Sequence, residues 1–90
     1  MQLQNVKIGF LGTGRMATAL ATGFTRELLT ACQILGADPV AASREQFLRV
    51  VGDAAVVGET ADPTLSNADI IFLAVKPQVM KSALAALDSL

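Results

Sequence analysis

The fold is decided by the stretch IGFLGTGRMA at residues 8–17, where an apolar run passes through two glycines into a helical pattern. Val6 to Leu11 is almost continuously apolar and ends at Gly12, which is typical of a strand buried on both faces of a parallel sheet. After the second glycine, apolar side chains return every four residues, which predicts an amphipathic helix of about four turns. The first third of the chain therefore predicts a strand, a tight turn and a helix.

The expected apolar face of this first helix consists of Met16, Leu20, Phe24 and Leu28, with Ala17 and Ala21 beside them. Gln33 to Ala37 predicts a second strand. Asp38-Pro39 then predicts the start of a second helix, with Asp38 as the N-cap and Pro39 at the first helical position. The buried face of the second helix is predicted to carry Val40, Phe47 and Val51.

The second half of the chain predicts two more strands and a final helix. Ala54 to Val57 is expected to form the third strand, and Asp69 to Val75 a fourth strand whose side chains are buried on both faces. The segment from Gly58 to Asn67 is the longest candidate break, because it contains an Asp-Pro pair. Pro77 holds the preceding Lys76 extended and can start the final helix. The expected apolar face of that helix consists of Val79, Met80, Ala83, Leu84 and Leu87.

Strands that alternate with helices predict an α/β fold, a Rossmann-like open parallel sheet with flanking helices. The 90 residues leave room for a single domain. The last helix reaches Leu90 without a C-cap glycine or a following strand, whereas complete dinucleotide-binding domains usually add further edge strands. We therefore expect residues 1–90 to be the N-terminal portion of a dinucleotide-binding domain that is truncated here.

The composition excludes several classes of function. The chain has no His, Trp or Tyr, so histidine-dependent nucleophilic catalysis and His-containing metal sites are excluded, and we assign it neither catalytic nor metal-binding residues. Its single cysteine, Cys32, cannot form an internal disulfide and is expected to be a small packing residue. Seven Lys and Arg are scattered against eight Asp and Glu, which argues against a nucleic-acid partner. No secretory signal or transmembrane-length apolar run is present, so we expect a cytoplasmic protein without a membrane partner.

The residues Gly12-Thr13-Gly14-Arg15-Met16-Ala17 match the pattern GxGxxG/A, directly after the first strand and at the first turn of the helix. Gly12 permits the tight turn, Gly14 lets the backbone approach a pyrophosphate, and Ala17 allows close packing of helix on strand. The N–H groups at the helix start would face the anion. Arg15 either pairs with a phosphate or is a solvated side chain. A purely structural strand-to-helix turn is the competing interpretation of the motif.

Two further positions follow predicted strands. Asp38 lies after the second strand, where this class of fold places an acid that accepts hydrogen bonds from the adenosine ribose. Its other interpretation is an ordinary helix N-cap. A carboxylate here favours NAD over NADP because it repels a 2′-phosphate, and Arg44, more than one turn into the predicted helix, is a candidate counter-charge. Lys76, after the fourth strand, can approach the cofactor's ribose or phosphates, or is merely solvated.

Two blocks of sequence carry a family resemblance. IGFLGTGRMA at residues 8–17 and IFLAVKPQ at residues 71–78 closely resemble the N-terminal half of pyrroline-5-carboxylate reductase, which reduces pyrroline-5-carboxylate to proline. The similarity runs from about Lys7 to the end of the chain. The glycine block would also fit other dehydrogenases, including the coenzyme-F420-dependent NADP oxidoreductases, whereas the AVKPQ segment at residues 74–78 is more selective.

The resemblance implies an NAD(P)H-binding site. Leu11 to Met16 would wrap the pyrophosphate, Asp38 would face the adenosine ribose, and Ala74 to Pro77, which includes Val75 and Lys76, would line the nicotinamide side. The chain departs from the family at Asp38, where members often have serine or another residue compatible with a phosphate. It also departs at Ala61, where many have an asparagine that contacts the adenosine. The preference between NAD and NADP therefore stays open.

The resemblance also implies what the intact enzyme does. It would transfer hydride from NAD(P)H to pyrroline-5-carboxylate, a small imino acid, in the last step of proline biosynthesis. A C-terminal helical domain would supply much of the substrate site and form the dimer, so we expect the 90-residue chain to be inactive by itself. We expect the chain to form a homo-oligomer through an uncovered hydrophobic edge or face of the sheet, by edge pairing or by exchange of elements. The alternatives are another NAD(P)-dependent reductase and a non-catalytic nucleotide-binding module.

Overall fold

The computed structural model describes residues 3–88. Within them the strands are Ile8–Leu11 (β1), Ile34–Ala37 (β2), Val56–Gly58 (β3) and Ile70–Leu73 (β4). The α-helices are Arg15–Glu27 (α1), Ala41–Val51 (α2), Ala61–Thr64 (α3) and Met80–Leu87 (α4). Short 3-10 turns span Leu3–Asn5, Ala31–Gln33 and Pro77–Val79. The predicted alternation of strands and helices is confirmed, and the predicted break between β3 and β4 contains the short helix α3.

The four strands form one parallel sheet in the order β3-β2-β1-β4. Ile8 of β1 lies opposite Ile34 on one side and Ile70 on the other. The chain therefore moves outward from β1 to β3 and then returns across the sheet to form β4 on the opposite side of β1. An open parallel sheet holds ligands where its strand order reverses, at the carboxyl ends of the strands. Here that position lies between β1 and β4.

Helices cover both faces of the sheet. On one face, the buried side chains of α1 and α2 form a cluster with Phe10, Ile34 and Phe47. The Phe10 ring is 6.0 Å from the Phe47 ring and 5.5 Å from the Phe72 ring, measured between centroids. On the other face, α3 and α4 pack against Leu11 and Leu35. The predicted Rossmann-like α/β fold is therefore confirmed.

The face that α1 turns towards the sheet differs from the predicted one. Ala17 and Ala21 are fully buried, whereas Met16 is 61% exposed and Leu28 is also exposed. Large aromatic rings of the sheet, those of Phe10 and Phe72, belong to the cluster beneath this helix. They fill the space between helix and sheet, so alanine fits at the contact, and Met16 and Leu28 turn outward. Phe24 keeps its predicted inward place, with its ring centroid 5.8 Å from that of Phe72. The fourfold spacing correctly predicts a helix but not its rotation about its own axis.

The start of α2 also differs from the prediction. The N-cap is Val40 and the helix begins at Ala41, so Asp38 is not the cap and Pro39 is not the first helical residue. Val40 is exposed rather than buried, whereas Phe47 and Val51 are buried as predicted. The carboxylate of Asp38 instead accepts hydrogen bonds from backbone N–H groups, which is a side-chain-to-backbone turn typical of aspartate.

The third strand begins two residues later than predicted. Gly52, with φ of +132°, ends α2, and the N–H of Ala55 donates to the carbonyl of Gly52 at 3.1 Å. This turn occupies the residues that were expected to begin the strand. Cys32 was expected to pack in the interior, but it is exposed in a 3-10 turn. The neighbouring Gln33 is buried instead, and its side-chain amide donates to the carbonyl of Val6 at 2.8 Å.

The β4–α4 region is less buried than predicted. Ile70 is 44% exposed and Leu73 is also exposed, although both were expected to be covered. In residues 3–88, β4 pairs only with β1, so its outer edge has no neighbouring strand. In α4, Ala83 and Leu87 pack towards the sheet, whereas Leu84 and the preceding Val79 are exposed. The fourth strand is therefore an edge strand within the described part of the chain.

Candidate dinucleotide-binding cleft

A cleft of about 680 Å³ lies at the carboxyl ends of the strands. It is bounded by the residues that follow β1, β2 and β4, and its size is typical of small-molecule sites. Two backbone hydrogen bonds join these strand ends. The N–H of Gly12 donates to the carbonyl of Ala37 at 2.8 Å, and the N–H of Ala74 donates to the carbonyl of Leu11 at 2.9 Å. The cleft therefore lies at the point where the strand order reverses.

Gly12 is required by the fold itself. Its φ of +100° is a conformation that side-chain-bearing residues rarely adopt. A Cβ at this position would lie 2.5 Å from the carbonyl oxygen of Ala74. The turn after β1 therefore passes so close to the β4 end that only glycine fits, whether or not a ligand binds.

Gly14 differs, because nothing in the described protein requires a glycine there. Its φ of −78° is open to any residue, and apart from its two chain neighbours no described residue has an atom within 4 Å of the place where a Cβ would be. That empty place borders the cleft. A purely structural turn accounts for Gly12 alone, whereas a ligand that approaches the backbone closely accounts for both glycines. The geometry therefore favours the ligand-binding interpretation of the motif.

The start of α1 also fits an anion. Gly14 is its N-cap, and within the described residues no side chain caps this end. The N–H groups of Arg15, Met16 and Ala17 lie in the first helical turn, where the helix itself supplies no acceptor. Such groups, together with the helix dipole, bind phosphate. A pyrophosphate above Gly14 would meet these donors.

Asp38 is fixed by the glycine loop. Its Oδ2 accepts a hydrogen bond from the Thr13 N–H at 2.9 Å, and its Oδ1 accepts one from the Val40 N–H at 2.8 Å. The Asp38 N–H also donates to the carbonyl of Gly58 at 3.0 Å, which extends the pairing of β2 with β3 by one residue. The carboxylate is therefore held at the cleft, and each oxygen keeps a further lone pair for a ligand.

The side chain of Arg44 reaches Asp38, a contact that the spacing of the two residues in the sequence did not predict. Its Nη1 donates to the carbonyl oxygen of Asp38 at 2.7 Å, and its Nη2 lies 4.0 Å from Oε1 of Glu59. The contact is possible because α2 begins at Ala41, so Arg44 lies in the first turn rather than deeper in the helix. The guanidinium therefore contacts two residues that line the cleft, Asp38 and Glu59, although Arg44 itself does not line it.

At the opposite wall, Lys76 is extended, with φ of −67° and ψ of 151°, as the following proline predicts. Its side chain is exposed, and the residue lines the cleft together with Ala74 and Val75. Pro77 begins the next 3-10 turn and does not line the cleft. The β4 end therefore supplies a backbone wall and one lysine.

Not every predicted site residue lies in this cleft. Those that line it are Leu11, Gly12, Gly14, Asp38, Ala74, Val75 and Lys76. Thr13 and Arg15 instead line a second groove of about 650 Å³ between α1 and α2, which Gly14 also borders. Met16 is exposed and lines neither. The hydroxyl of Thr13 is buried, and no described residue is its hydrogen-bond partner.

Sequence reasoning missed Glu59 and Thr60, which also line the cleft. They directly follow β3, so they lie at the same sheet edge as the predicted residues. The signal for them is weak, because β3 has only three residues and its end is hard to predict. Among the described residues, no cluster of side chains could hold a metal ion, and no helix is long and apolar enough to span a membrane.

Comparison with known proteins agrees with this geometry. Residues 7–90 match a family described as NADP oxidoreductase, coenzyme F420-dependent. The chain belongs to this family. It therefore carries the Rossmann-type dinucleotide-binding fold of an oxidoreductase family, with the glycine loop and the β4 end both inside the matched region.

Individual relatives are named pyrroline-5-carboxylate reductase. The chain is 38% identical to the one from Pseudomonas aeruginosa over 90% of its own length and 29% of that protein. It is 33% identical to the Methanosarcina acetivorans protein over 97% of its length and 32% of that protein. It is 36% identical to human pyrroline-5-carboxylate reductase 2 over 83% of its length and 23% of that protein. The expected resemblance is confirmed, and the chain spans less than a third of each relative.

Proposed function

We propose that this chain is the cofactor-binding portion of a pyrroline-5-carboxylate reductase-like enzyme and that its cleft binds NAD(P)H. The observation that carries the proposal is Gly14. It is the N-cap of α1 and leaves open space beside the first helical turn, where a ligand can approach the backbone closely.

Each part of the cofactor has a place in this proposal. The pyrophosphate lies on the loop from Leu11 to Met16 and accepts hydrogen bonds from the N–H groups that start α1. The adenosine ribose lies against Asp38, whose carboxylate is held by backbone donors. The nicotinamide side lies along residues 74–76, where Ala74 and Val75 give apolar contact and Lys76 gives a positive charge.

These groups assign different roles to the cofactor and to the residues of this chain. The bound cofactor supplies the hydride, which in the whole enzyme goes to the carbon of a C=N bond in a small imino acid. This chain's residues bind and orient the dinucleotide, and we assign none of them a proton transfer. The imino-acid site belongs to a helical domain in the remaining two thirds of such an enzyme, so the 90-residue chain does not turn over the substrate.

The test compares two glycines of one helix region. Gly14→Ala and Gly23→Ala each add one methyl group where no described atom lies within 4 Å, but only Gly14 borders the cleft. In titrations of the chain with NADH and NADPH, followed by calorimetry, we expect Gly14→Ala to weaken binding by about tenfold or more, or about 1.4 kcal/mol. Gly23→Ala should bind like the wild type.

Circular dichroism of both variants checks that each is folded, because an alanine N-cap at position 14 also weakens the start of α1. If the folded wild-type chain binds neither NADH nor NADPH, the proposal fails. If Gly14→Ala and Gly23→Ala bind equally well, the pyrophosphate does not lie on Gly14.

A second candidate is a different reductase of the same family, and the family description, NADP oxidoreductase, coenzyme F420-dependent, is the observation that favours it. The two candidates share the cofactor cleft and differ in the hydride acceptor. A longer protein that contains this chain should form proline from pyrroline-5-carboxylate under the first proposal. Reduction of coenzyme F420 in its place would favour the second, and nucleotide binding with no hydride transfer would indicate a non-catalytic module.

We also propose that the chain is cytoplasmic and that it forms homo-oligomers through the open edge of β4. The exposed side chain of Ile70 and the unpaired backbone of that edge support self-association. Size-exclusion chromatography with light scattering measures it, and a stable monomer at high concentration contradicts it.

A further inference from the structure

Two acidic residues, Asp38 and Glu59, line the corner of the cleft where β2 and β3 end. Arg44 does not line the cleft, but its guanidinium contacts the backbone carbonyl of Asp38 and the carboxylate of Glu59. Under the proposed function the adenosine ribose binds here, so these charges lie beside the position of its 2′ oxygen. That oxygen is a hydroxyl in NADH and a phosphoester in NADPH.

Arg44 is already engaged. Its Nη1 donates to the Asp38 carbonyl at 2.7 Å, and its Nη2 faces Glu59 at 4.0 Å. The side chain of Arg44 is 19% exposed, whereas that of Glu59 is 77% exposed. The carboxylate of Glu59 therefore offsets the positive charge of Arg44 from the solvent side, while the carbonyl holds the guanidinium in place.

This arrangement treats the two cofactors differently. The ribose hydroxyls of NADH can donate to the lone pairs that remain on the Asp38 carboxylate. A 2′-phosphate has only acceptors for this carboxylate and meets two acidic residues of the cleft, while the guanidinium of Arg44 lies outside the cleft lining and is already paired with Glu59. The corner therefore favours the hydroxyl over the phosphate.

We propose that Glu59 is a specificity-determining residue, which keeps Arg44 from receiving a 2′-phosphate and so makes the cleft selective for NADH. The proposal rests on the proposed cofactor site but assigns a role to a residue outside the glycine motif. Asp38 accepts the ribose hydroxyls, Arg44 stiffens the turn through the Asp38 carbonyl, and Glu59 controls whether the guanidinium is available to an anion.

The experiment measures the affinities of NADH and NADPH for the chain and four variants. Glu59→Gln removes the charge beside Arg44, and Glu45→Gln removes the same charge from an exposed site on α2 that does not line the cleft. Arg44→Gln and the double variant Glu59→Gln with Arg44→Gln show whether any gain acts through Arg44. Circular dichroism monitors folding throughout.

The wild-type chain should bind NADH about tenfold or more tightly than NADPH. Glu59→Gln should raise the affinity for NADPH relative to that for NADH about fivefold or more, and the double variant should lose that gain. The gain should also shrink as the salt concentration rises, because both side chains border solvent. Glu45→Gln should resemble the wild type.

Equal or tighter binding of NADPH by the wild type overturns the selectivity while leaving the proposed function intact. Equal effects of Glu59→Gln and Glu45→Gln, or a gain that persists without Arg44, overturn the role of Glu59. Failure of the folded chain to bind either cofactor overturns the proposed function and this inference together.

Discussion

The two sides of the cleft are built very differently. On one side, β1, β2 and α2 enclose Phe10, Ile34 and Phe47, which are fully buried. On the other side, β4 and α4 expose Ile70 and Leu84, which is 47% exposed. The proposed phosphate and ribose residues therefore lie on a well-packed support, whereas the proposed nicotinamide wall belongs to an edge strand. This difference indicates that packing within the described residues fixes the position of the glycine loop. The β4 edge that carries Lys76 is not covered by other described residues.

The largest expected effect separates these two regions directly. Phe47→Ala removes a fully buried ring that contacts Phe10, so it should lower the free energy of unfolding by about 3–5 kcal/mol. Leu84→Ala removes a side chain that is nearly half exposed and should cost about 1 kcal/mol or less. Urea unfolding followed by circular dichroism measures both. Equal losses would contradict the contrast between the two sides.

A smaller effect is expected where the two sides meet. Gly12→Ala forces a side chain into a positive φ and against the Ala74 carbonyl, so we expect a loss of about 1–3 kcal/mol in unfolding free energy. Gly14→Ala, which meets neither problem, should cost about 1 kcal/mol or less through its N-cap position. Thermal unfolding of the two variants without cofactor tests this order. A reversed order would mean that Gly14 has a structural role in the empty protein.

The smallest effect concerns the buried hydroxyl of Thr13, which lies on the well-packed side and has no described partner. Thr13→Val replaces this hydroxyl with a methyl group of similar shape, so stability should stay equal or rise by about 1 kcal/mol. Denaturant titration of the wild type and the variant gives the difference. A clear loss of stability would show that the hydroxyl has a hydrogen-bond partner, such as an ordered water.

The sequence predicted the order of elements well because the spacing of apolar residues, and the glycines and prolines that end an element, are local properties of the chain. Apolar runs predicted the strands, the first of them closed by Gly12, and the fourfold spacing predicted α1. The same pattern could not predict which face of α1 is buried, since that depends on the rings of Phe10 and Phe72 beneath it. It also placed Ile70 and Leu73 in a covered strand, because composition does not reveal how many neighbours a strand has.

The candidate site divides in the same way. The glycine motif, Asp38 and Lys76 follow strands in the sequence, so their meeting at one sheet edge was predictable from topology. The contact of Arg44 with the Asp38 carbonyl was not, because it depends on α2 starting at Ala41 rather than at Pro39. Glu59 was missed because its position depends on where a three-residue strand ends.

By itself, the sequence determined a parallel α/β fold with a glycine loop between β1 and α1. Strand length, helical spacing and glycine position can each be recognised in a short stretch of sequence. Only the tertiary structure distinguished Gly12, where the fold requires glycine, from Gly14, which has open space where a side chain would lie. The reason is physical: the need for glycine depends on the backbone angle and on the atoms around the absent Cβ. At Gly12 both forbid a side chain, whereas at Gly14 neither does.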